Sequence, residues 1–215
     1  RHTCAVLEGG DTRCWGRGGS GQLGLGDTSN RGDSSGEMGH SLPSPSAGLG
    51  PVKQISCGWY HTCMVFEDDR VACTGGNGQG QLGLGDTTSR TTLQVIDGFR
   101  AQFVASRWEF SCALSDGQVF CWGDGGSGQL GQGNTQDSSV PVRVQWLRPG
   151  VQQLTCGHYH CCALDQDRWV CWGRNTWGQL CLGDNSNRGS SSANTGLDQS
   201  TVLTVQVATT TTTTT

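Results

Sequence analysis

The chain has 215 residues, of which 35 are glycine and only 15% are charged, and its net charge is −4. Such a turn-rich composition has few helix formers and predicts an all-β fold. Clustered lysines and arginines normally bind nucleic acids, and this acidic chain has a single lysine, Lys53, so we expect no nucleic-acid partner. No apolar run approaches the roughly 20 residues of a membrane-spanning helix, so we expect no membrane span.

Four copies of one motif divide the chain. Each has Cys-x-Gly followed by Gly-Gln-Leu, and its glutamines are Gln22, Gln81, Gln129 and Gln179. An interval of about fifty residues indicates a repeat protein, in which each unit buries its apolar face against its neighbours. We place the repeats at 1–50, 51–101, 102–150 and 151–208, followed by a threonine-rich tail at 209–215.

The repeats differ in their loops and opening segments. The first begins within a repeat, at Arg1, and carries a long Ser-, Gly- and Pro-rich loop at 27–50 that we expect on the surface. Alternating residues predict opening strands at 52–58 and 103–106 and a closing strand at 202–207. The chain has neither a starting methionine nor a signal peptide, as expected of a mature, processed or partial chain.

Paired cysteines flank a short alternating run in every repeat. If Cys112 and Cys121 face each other across a hairpin, Asp116–Gly117 becomes its two-residue loop, which is the sequence that a type I′ turn prefers. Directly opposed cysteines lie close enough to be bonded. The spacing therefore predicts four disulfides: Cys4 with Cys14, Cys63 with Cys73, Cys112 with Cys121, and Cys162 with Cys171.

Four cysteines remain, and their spacing leaves three internal pairings and intermolecular bonds open: Cys57, Cys156, Cys161 and Cys181. The closely spaced cysteines are the adjacent Cys161 and Cys162 and the pairs Cys57/Cys63 and Cys156/Cys161, at spacings of six and five, and they do not supply the set of C-x₂₋₄-C knuckles that a structural zinc site needs. We expect neither a metal nor another cofactor.

Histidines and tryptophans also recur at fixed repeat positions. His2, His61 and His160 are equivalent, and we expect each to bind the backbone of its own repeat. Trp15, Trp122 and Trp172 are expected in the core between repeats. No paired carboxylates, activated serine or cysteine–histidine nucleophile stands apart from the repeat, so we predict that the protein is not an enzyme.

These motifs carry a family resemblance. The order of Gly58–Cys63, the Asp116–Gly117 turn, Cys121–Gly123 and Gly21–Asp27 resembles the repeat of the regulator of chromosome condensation family. The resemblance implies a β-propeller with one four-stranded blade per repeat, here a propeller or partial propeller of about four blades. The namesake of the family activates a small GTPase in the nucleus, a reducing compartment in which disulfides are rare.

The threonine run at the end of the sequence bears on where the protein works. Such a dense row of hydroxyls is typical of an O-glycosylated stalk, although a disordered terminus is the alternative. With the disulfides, it favours an extracellular or cell-surface structural module that assembles with protein partners, namely its own copies, into a cell-surface or fibrous glycoprotein. A soluble propeller that binds one protein partner, as a GTPase regulator or an inhibitor does, or a sugar is the alternative. The predicted glycosylation sites are Thr209, Thr210, Thr211, Thr212, Thr213, Thr214 and Thr215.

Overall fold

Residues 2–194 of the chain are described by a computed structural model, and they fold into four antiparallel sheets with no α-helix among them. We call the sheets blades 1 to 4. Their strands are β1 His2–Val6 and β2 Thr12–Gly16; β3 Val52–Cys57, β4 His61–Phe66, β5 Arg70–Gly75 and β6 Arg90–Arg100; β7 Phe103–Arg107, β8 Phe110–Ser115, β9 Gln118–Gly123 and β10 Ser138–Arg143; and β11 Val151–Cys156, β12 His160–Asp165 and β13 Arg168–Gly173.

The strands of each blade pair in chain order, and the blades follow one another around the inner strands. β3 contacts β7, and β7 contacts β11, so the first strands of successive blades lie side by side. The side chain of Gln54 joins two of them: its Nε2 donates to the Val104 carbonyl oxygen at 2.8 Å, and its Oε1 accepts from the Val104 N–H at 3.0 Å. This arrangement is the propeller that the repeat predicts.

Turn chemistry fixes the hairpin register in blade 3. Asp116 and Gly117 have φ of 47° and 71°, the left-handed values that both central residues of a type I′ turn need. Cys112 consequently faces Cys121 directly across β8 and β9.

Five disulfides staple the blades. Four of them join the cysteine pairs that the hairpin spacing predicts, and the fifth joins Cys156 to Cys161 across the β11–β12 connection. Cys57 and Cys181 are free thiols, the first half-buried and the second exposed.

The composition of the long loop of blade 1 predicted a surface loop, but part of the loop is buried. Leu42 and Ser46 are buried, and the Ser46 hydroxyl lies 2.8 Å from that of Thr12 in β2. The loop thus covers the outer strand of a sheet that has only two strands among the described residues.

Two tryptophans join blades 3 and 4 to the blades before them. Trp122 and Trp172 are fully buried, and their indole N–H groups donate at 2.9 Å to the carbonyls of Gln81 and Gln129 in the preceding blades. Trp15, in blade 1, is only half-buried. The expectation that these residues fill the core between repeats therefore holds for Trp122 and Trp172 and not for Trp15.

The expectation for the histidines was wrong. His2 and His61 contact hydroxyls of the next blade rather than their own backbone: His2 Nε2 lies 2.7 Å from Thr62 Oγ1, and His61 Nε2 lies 2.8 Å from Ser111 Oγ. Both hydroxyls donate to carbonyl groups of the preceding blade, so the ring N–H must donate to the hydroxyl oxygen. We call each such histidine–hydroxyl contact between neighbouring blades a seam pair.

Within residues 2–194, the boundary between blades 3 and 4 has no seam pair. Phe110 stands where a histidine would be, and Cys161, bonded to Cys156, stands where the hydroxyl would be. Both side chains are fully buried in one apolar cluster. The closing strand predicted at 202–207 and the threonine run at 209–215 lie outside the described residues.

Candidate binding face

Five aromatic side chains gather at one end of blades 2 to 4, and we call them the aromatic cluster: Trp59, Tyr60, Trp108, His158 and Tyr159. All of them come from the connections between the first and second strands of their blades. These connections bring equivalent repeat positions together because the inner strands lie side by side.

Three rings from the same repeat position form a continuous row of ring contacts, tilted by 41° between Trp59 and Trp108 and edge-on at 71° between Trp108 and His158. The Trp59 and Trp108 ring centroids are 4.3 Å apart, and the Trp108 and His158 centroids are also 4.3 Å apart. His158 is exposed and the two indoles are half-buried. Ring pairs at such distances stabilise each other while keeping an accessible edge.

Backbone geometry holds the central ring in place. The Trp59 N–H donates to the Trp108 carbonyl oxygen at 2.9 Å. Trp108 itself has a φ of 28°, a value that a bulky residue rarely adopts. Strained backbone of this kind is found most often at functional sites.

An acidic group lies beside this row of rings. Burial raises the pKa of the Glu109 carboxyl, and the nearby carboxylates of Asp124 and Asp137 raise it further. Three acids from blade 3 therefore concentrate negative charge at this end of the molecule, which favours a cationic group in a ligand.

Arginines flank the acidic centre. The Arg17 guanidinium lies 5.8 Å from the Tyr60 ring centroid, and that of Arg174 lies 5.5 Å from the Tyr159 centroid. Their contact with the rings leaves a surface that is aromatic in the middle and charged at its sides. A cleft of about 360 Å³ adjoins it, lined by Tyr60, Gln81 and Glu109 among others.

The sequence-predicted residues do not build this face. The four predicted disulfides lie within the hairpins, and Trp122 and Trp172 lie between blades. His2 and His61 are seam residues, and His160 is half-buried with its pKa lowered by burial. The missed signal was the recurrence of a ring two residues before the histidine position, in Trp59, Trp108 and His158.

Among residues 2–194, no helix is long and apolar enough to cross a bilayer. This finding concerns only that part of the chain.

Family comparison identifies the repeat. The model described as "Regulator of chromosome condensation (RCC1) repeat" matches residues 13–65 and 116–164, and a second model of the same description matches 52–81. The matched segments cover parts of all four blades and include the whole β4–β5 hairpin of blade 2.

Curated relatives share the repeat at moderate identity. The chain is 34% identical over 195 residues to the ultraviolet-B receptor UVR8 of Arabidopsis thaliana, covering 87% of this chain and 42% of the relative. It is 33% identical to the secretion-regulating guanine nucleotide exchange factor of Mus musculus, over 48% of this chain and 21% of the relative. The chain thus spans less than half the length of these relatives.

Solved structures share the fold. Prp20p from Saccharomyces cerevisiae superposes with a TM-score of 0.70 at 20% identity, over 87% of this chain and 47% of that one. The ectodomain of the Physcomitrella patens receptor kinase CR4 superposes with a TM-score of 0.52 at 22% identity, over 87% and 41%.

Proposed function

Because the chain belongs to the regulator of chromosome condensation (RCC1) repeat family, we propose that it is a protein-binding propeller and that the aromatic cluster is its binding surface. The observation that carries this proposal is the row of ring contacts between Trp59, Trp108 and His158, three rings that one repeat position supplies and that remain partly exposed. Tryptophan and tyrosine dominate the energetics of protein interfaces because they bury a large area at little entropic cost.

The charges beside the rings specify the partner further. Glu109 and its acidic neighbours form the centre, so the matching surface presents a lysine or arginine there. Arg17 and Arg174 at the flanks favour acidic residues at the rim of that surface. The proposal involves binding and assigns no catalytic step.

Relatives support a protein as the partner class. The structural study of Prp20p describes its binding to Gsp1p and histones, and another structure shows Kap60 bound to yeast RCC1. Those partners belong to those proteins. For this chain they support the general use of the scaffold, since one fold serves many activities.

Five disulfides favour an extracellular or cell-surface setting for this binding, because such bonds persist in oxidising compartments. The CR4 ectodomain is a precedent for the fold in a receptor ectodomain. Within that setting we favour an interaction module of a cell-surface or fibrous glycoprotein over a soluble GTPase regulator. Size-exclusion chromatography distinguishes them, since a structural subunit elutes as an assembly and a soluble binder as a monomer.

Replacing Trp108 with alanine tests the binding surface. We expect Trp108→Ala to weaken partner binding by about 2 kcal/mol or more, because it removes the central ring of the row. Trp177→Ala is the matched control: Trp177 is 84% exposed and outside the cluster, so its loss should change binding by less than about 0.5 kcal/mol.

The measurement is affinity capture with both variants and the unmodified chain, followed by biolayer interferometry with the captured protein. Circular dichroism verifies that each variant is folded. Equal binding by both variants would place the interface elsewhere, and binding to a glycan array instead of to protein would favour the sugar-binding alternative.

A further inference from the structure

A free thiol packs against a disulfide at the boundary between blades 1 and 2. The sulfurs of Cys57 and Cys4 lie within 4.8 Å of each other, and Cys4 is bonded to Cys14. Cys57 ends β3, the first strand of blade 2, whereas the disulfide joins β1 to β2 in blade 1. A nucleophilic sulfur from one blade therefore lies beside a bond of the other blade that it can attack.

The boundary between blades 3 and 4 brings sulfurs together in the same way but bonds them differently. There the sulfurs of Cys112, Cys156 and Cys161 lie within 4.8 Å of one another. Cys156 ends β11 as Cys57 ends β3, and it is bonded to Cys161, which faces it across β12. In blade 2, Thr62 faces Cys57 instead. Cys57 therefore has no cysteine opposite it in its own blade, and the disulfide that its sulfur approaches is that of blade 1.

The Cys57 side chain has room to rotate and access to solvent. It is half-buried and lines a cleft of about 330 Å³ between the inner strands β3, β7 and β11, together with Gln54 and Arg107. Burial raises the pKa of the Cys57 thiol, and the Arg107 guanidinium opposes this effect. Because the thiolate is the attacking species, burial slows an exchange with the neighbouring disulfide but does not prevent it.

We propose that Cys57 exchanges with the Cys4–Cys14 disulfide, so that a staple within blade 1 is converted into a covalent latch between blades 1 and 2. The Cys57 thiolate attacks the sulfur of Cys4, a Cys4–Cys57 bond forms as the Cys4–Cys14 bond breaks, and Cys14 leaves as a thiolate. Cys57 gives its proton to solvent and Cys14 takes one up. The number of disulfides is unchanged, so the step needs neither an oxidant nor a reductant and can occur in an oxidising compartment.

The exchange changes which parts of the molecule the disulfide holds together. The β1–β2 hairpin keeps its backbone pairing but loses its cross-link. The boundary, which the seam pair of His2 and Thr62 already joins at 2.7 Å, gains a covalent bond. Local opening between blades 1 and 2 then requires that a bond be broken, whereas the staple leaves that opening free. The latch is therefore a conformational device that the sequence of the hairpin alone does not indicate.

Disulfide mapping of the oxidised full chain tests the exchange. The chain is kept under native conditions without reductant for hours, the timescale of uncatalysed disulfide rearrangement, then quenched with acid, denatured and alkylated before its peptides are identified by mass spectrometry. We expect a linked peptide pair that contains Cys4 and Cys57, with alkylation of Cys14 rising as that of Cys57 falls by the same amount. Cys181→Ser removes the other free thiol and should leave this result unchanged. Pairing of Cys4 with Cys14 alone throughout would overturn the proposal.

Two matched variants test the geometry independently of the rate. Cys14→Ser and Cys4→Ser remove the same staple, and Cys14 lies outside the group of neighbouring side chains that contains Cys4 and Cys57. After oxidative refolding, Cys14→Ser should form the Cys4–Cys57 bond, whereas Cys4→Ser should leave both Cys14 and Cys57 open to alkylation. Free Cys4 and Cys57 thiols in folded Cys14→Ser would contradict the latch, as would equal protection from alkylation in the two variants. If Cys14→Ser does not fold, mapping of the unmodified chain decides.

Discussion

Single residues decide how the blades are joined. The seam pair of His61 and Ser111 is fully buried, and the same position in blade 3 is filled by Phe110 instead. A phenylalanine fits the space but offers no donor. We expect His61→Phe to destabilise the protein by about 1 to 3 kcal/mol, because the Ser111 hydroxyl loses a buried partner. Urea unfolding measures the effect, and pairing the change with Ser111→Ala should recover part of it.

The seam histidines also make stability depend on pH. Burial lowers the pKa of His61 to about 3 and that of His2 to about 4, from 6.5. Their contribution is complete above pH 6.5 and is lost below it, because the unfolded chain then binds protons that the folded protein refuses. Between pH 6.5 and its pKa in the folded protein, each histidine lowers the free energy of unfolding by about 1.4 kcal/mol for every unit by which the pH falls. Between pH 6.5 and pH 4, the free energy of unfolding should fall less steeply with decreasing pH in His61→Phe than in the unmodified chain. An equal pH dependence in both would contradict the low pKa of His61.

Cys181 is strained in a way that glycine would relieve. It has a φ of 56°, and the equivalent residues Gly24, Gly83 and Gly131 have φ of 73°, 74° and 67°. Left-handed backbone is unfavourable for a residue with a side chain, so Cys181→Gly should stabilise the protein by about 0.5 to 1 kcal/mol. Cys181→Ser is the control, since it removes the thiol and keeps the strain. Thermal unfolding separates the two, and equal melting temperatures would mean that strain is absent.

At the scale of the hairpin, the sequence was sufficient. Alternation with period two and the Asp116–Gly117 turn determine which cysteines face each other, because a slip of one residue would reverse every side chain. The Cys156–Cys161 bond also had a local signal. A turn at 157–159 places these two residues opposite each other, at the register where Ser106 faces Ser111 in blade 3.

Removing one staple tests what a hairpin gains from it. The double change Cys112→Ser and Cys121→Ser should cost roughly 2.5 to 3 kcal/mol, because the unfolded chain regains the freedom of a loop of about ten residues. The same change at Cys162 and Cys171 is the matched comparison, since it opens a loop of equal length. Denaturant unfolding under non-reducing conditions measures both, and full stability in either variant would show that its bond is unformed.

Contacts between blades could not be predicted from the sequence. His61 and Ser111 are 50 residues apart, and their contact depends on how one sheet is rotated against the next. The same rotation brings Trp59 to Trp108 and His2 to Thr62. Repetition showed that these positions matter, but only the assembled blades show which of them meet.

At the scale of the whole molecule, the proposed compartment is tested by the oxidation state of the cysteines and by glycosylation of the threonine run. Intact mass should rise by ten hydrogens on reduction, two for each of the five disulfides. Glycopeptide mass spectrometry should find O-linked sugar on most of the residues from Thr209 to Thr215, which lie outside the described part of the chain. The serine-rich loop of blade 1 is a secondary candidate for O-linked sugar, and its glycosylation can be compared with that of the threonine run in the same experiment. Bare threonines would remove the stalk from the proposal, and an unchanged mass would remove the oxidising compartment.

The boundary between blades 3 and 4, where Phe110 meets Cys161, constrains the order in which the repeats can pack. A histidine placed against Cys161 would find a sulfur already bonded to Cys156, and Phe110 placed against Ser111 would bury that hydroxyl without the histidine. The third boundary therefore disfavours the neighbours that belong to the first two boundaries, and the first two disfavour the neighbour that belongs to the third. Tandem duplication, shuffling or swapping of these similar units between molecules is thereby discouraged, although their sequences alone would permit it.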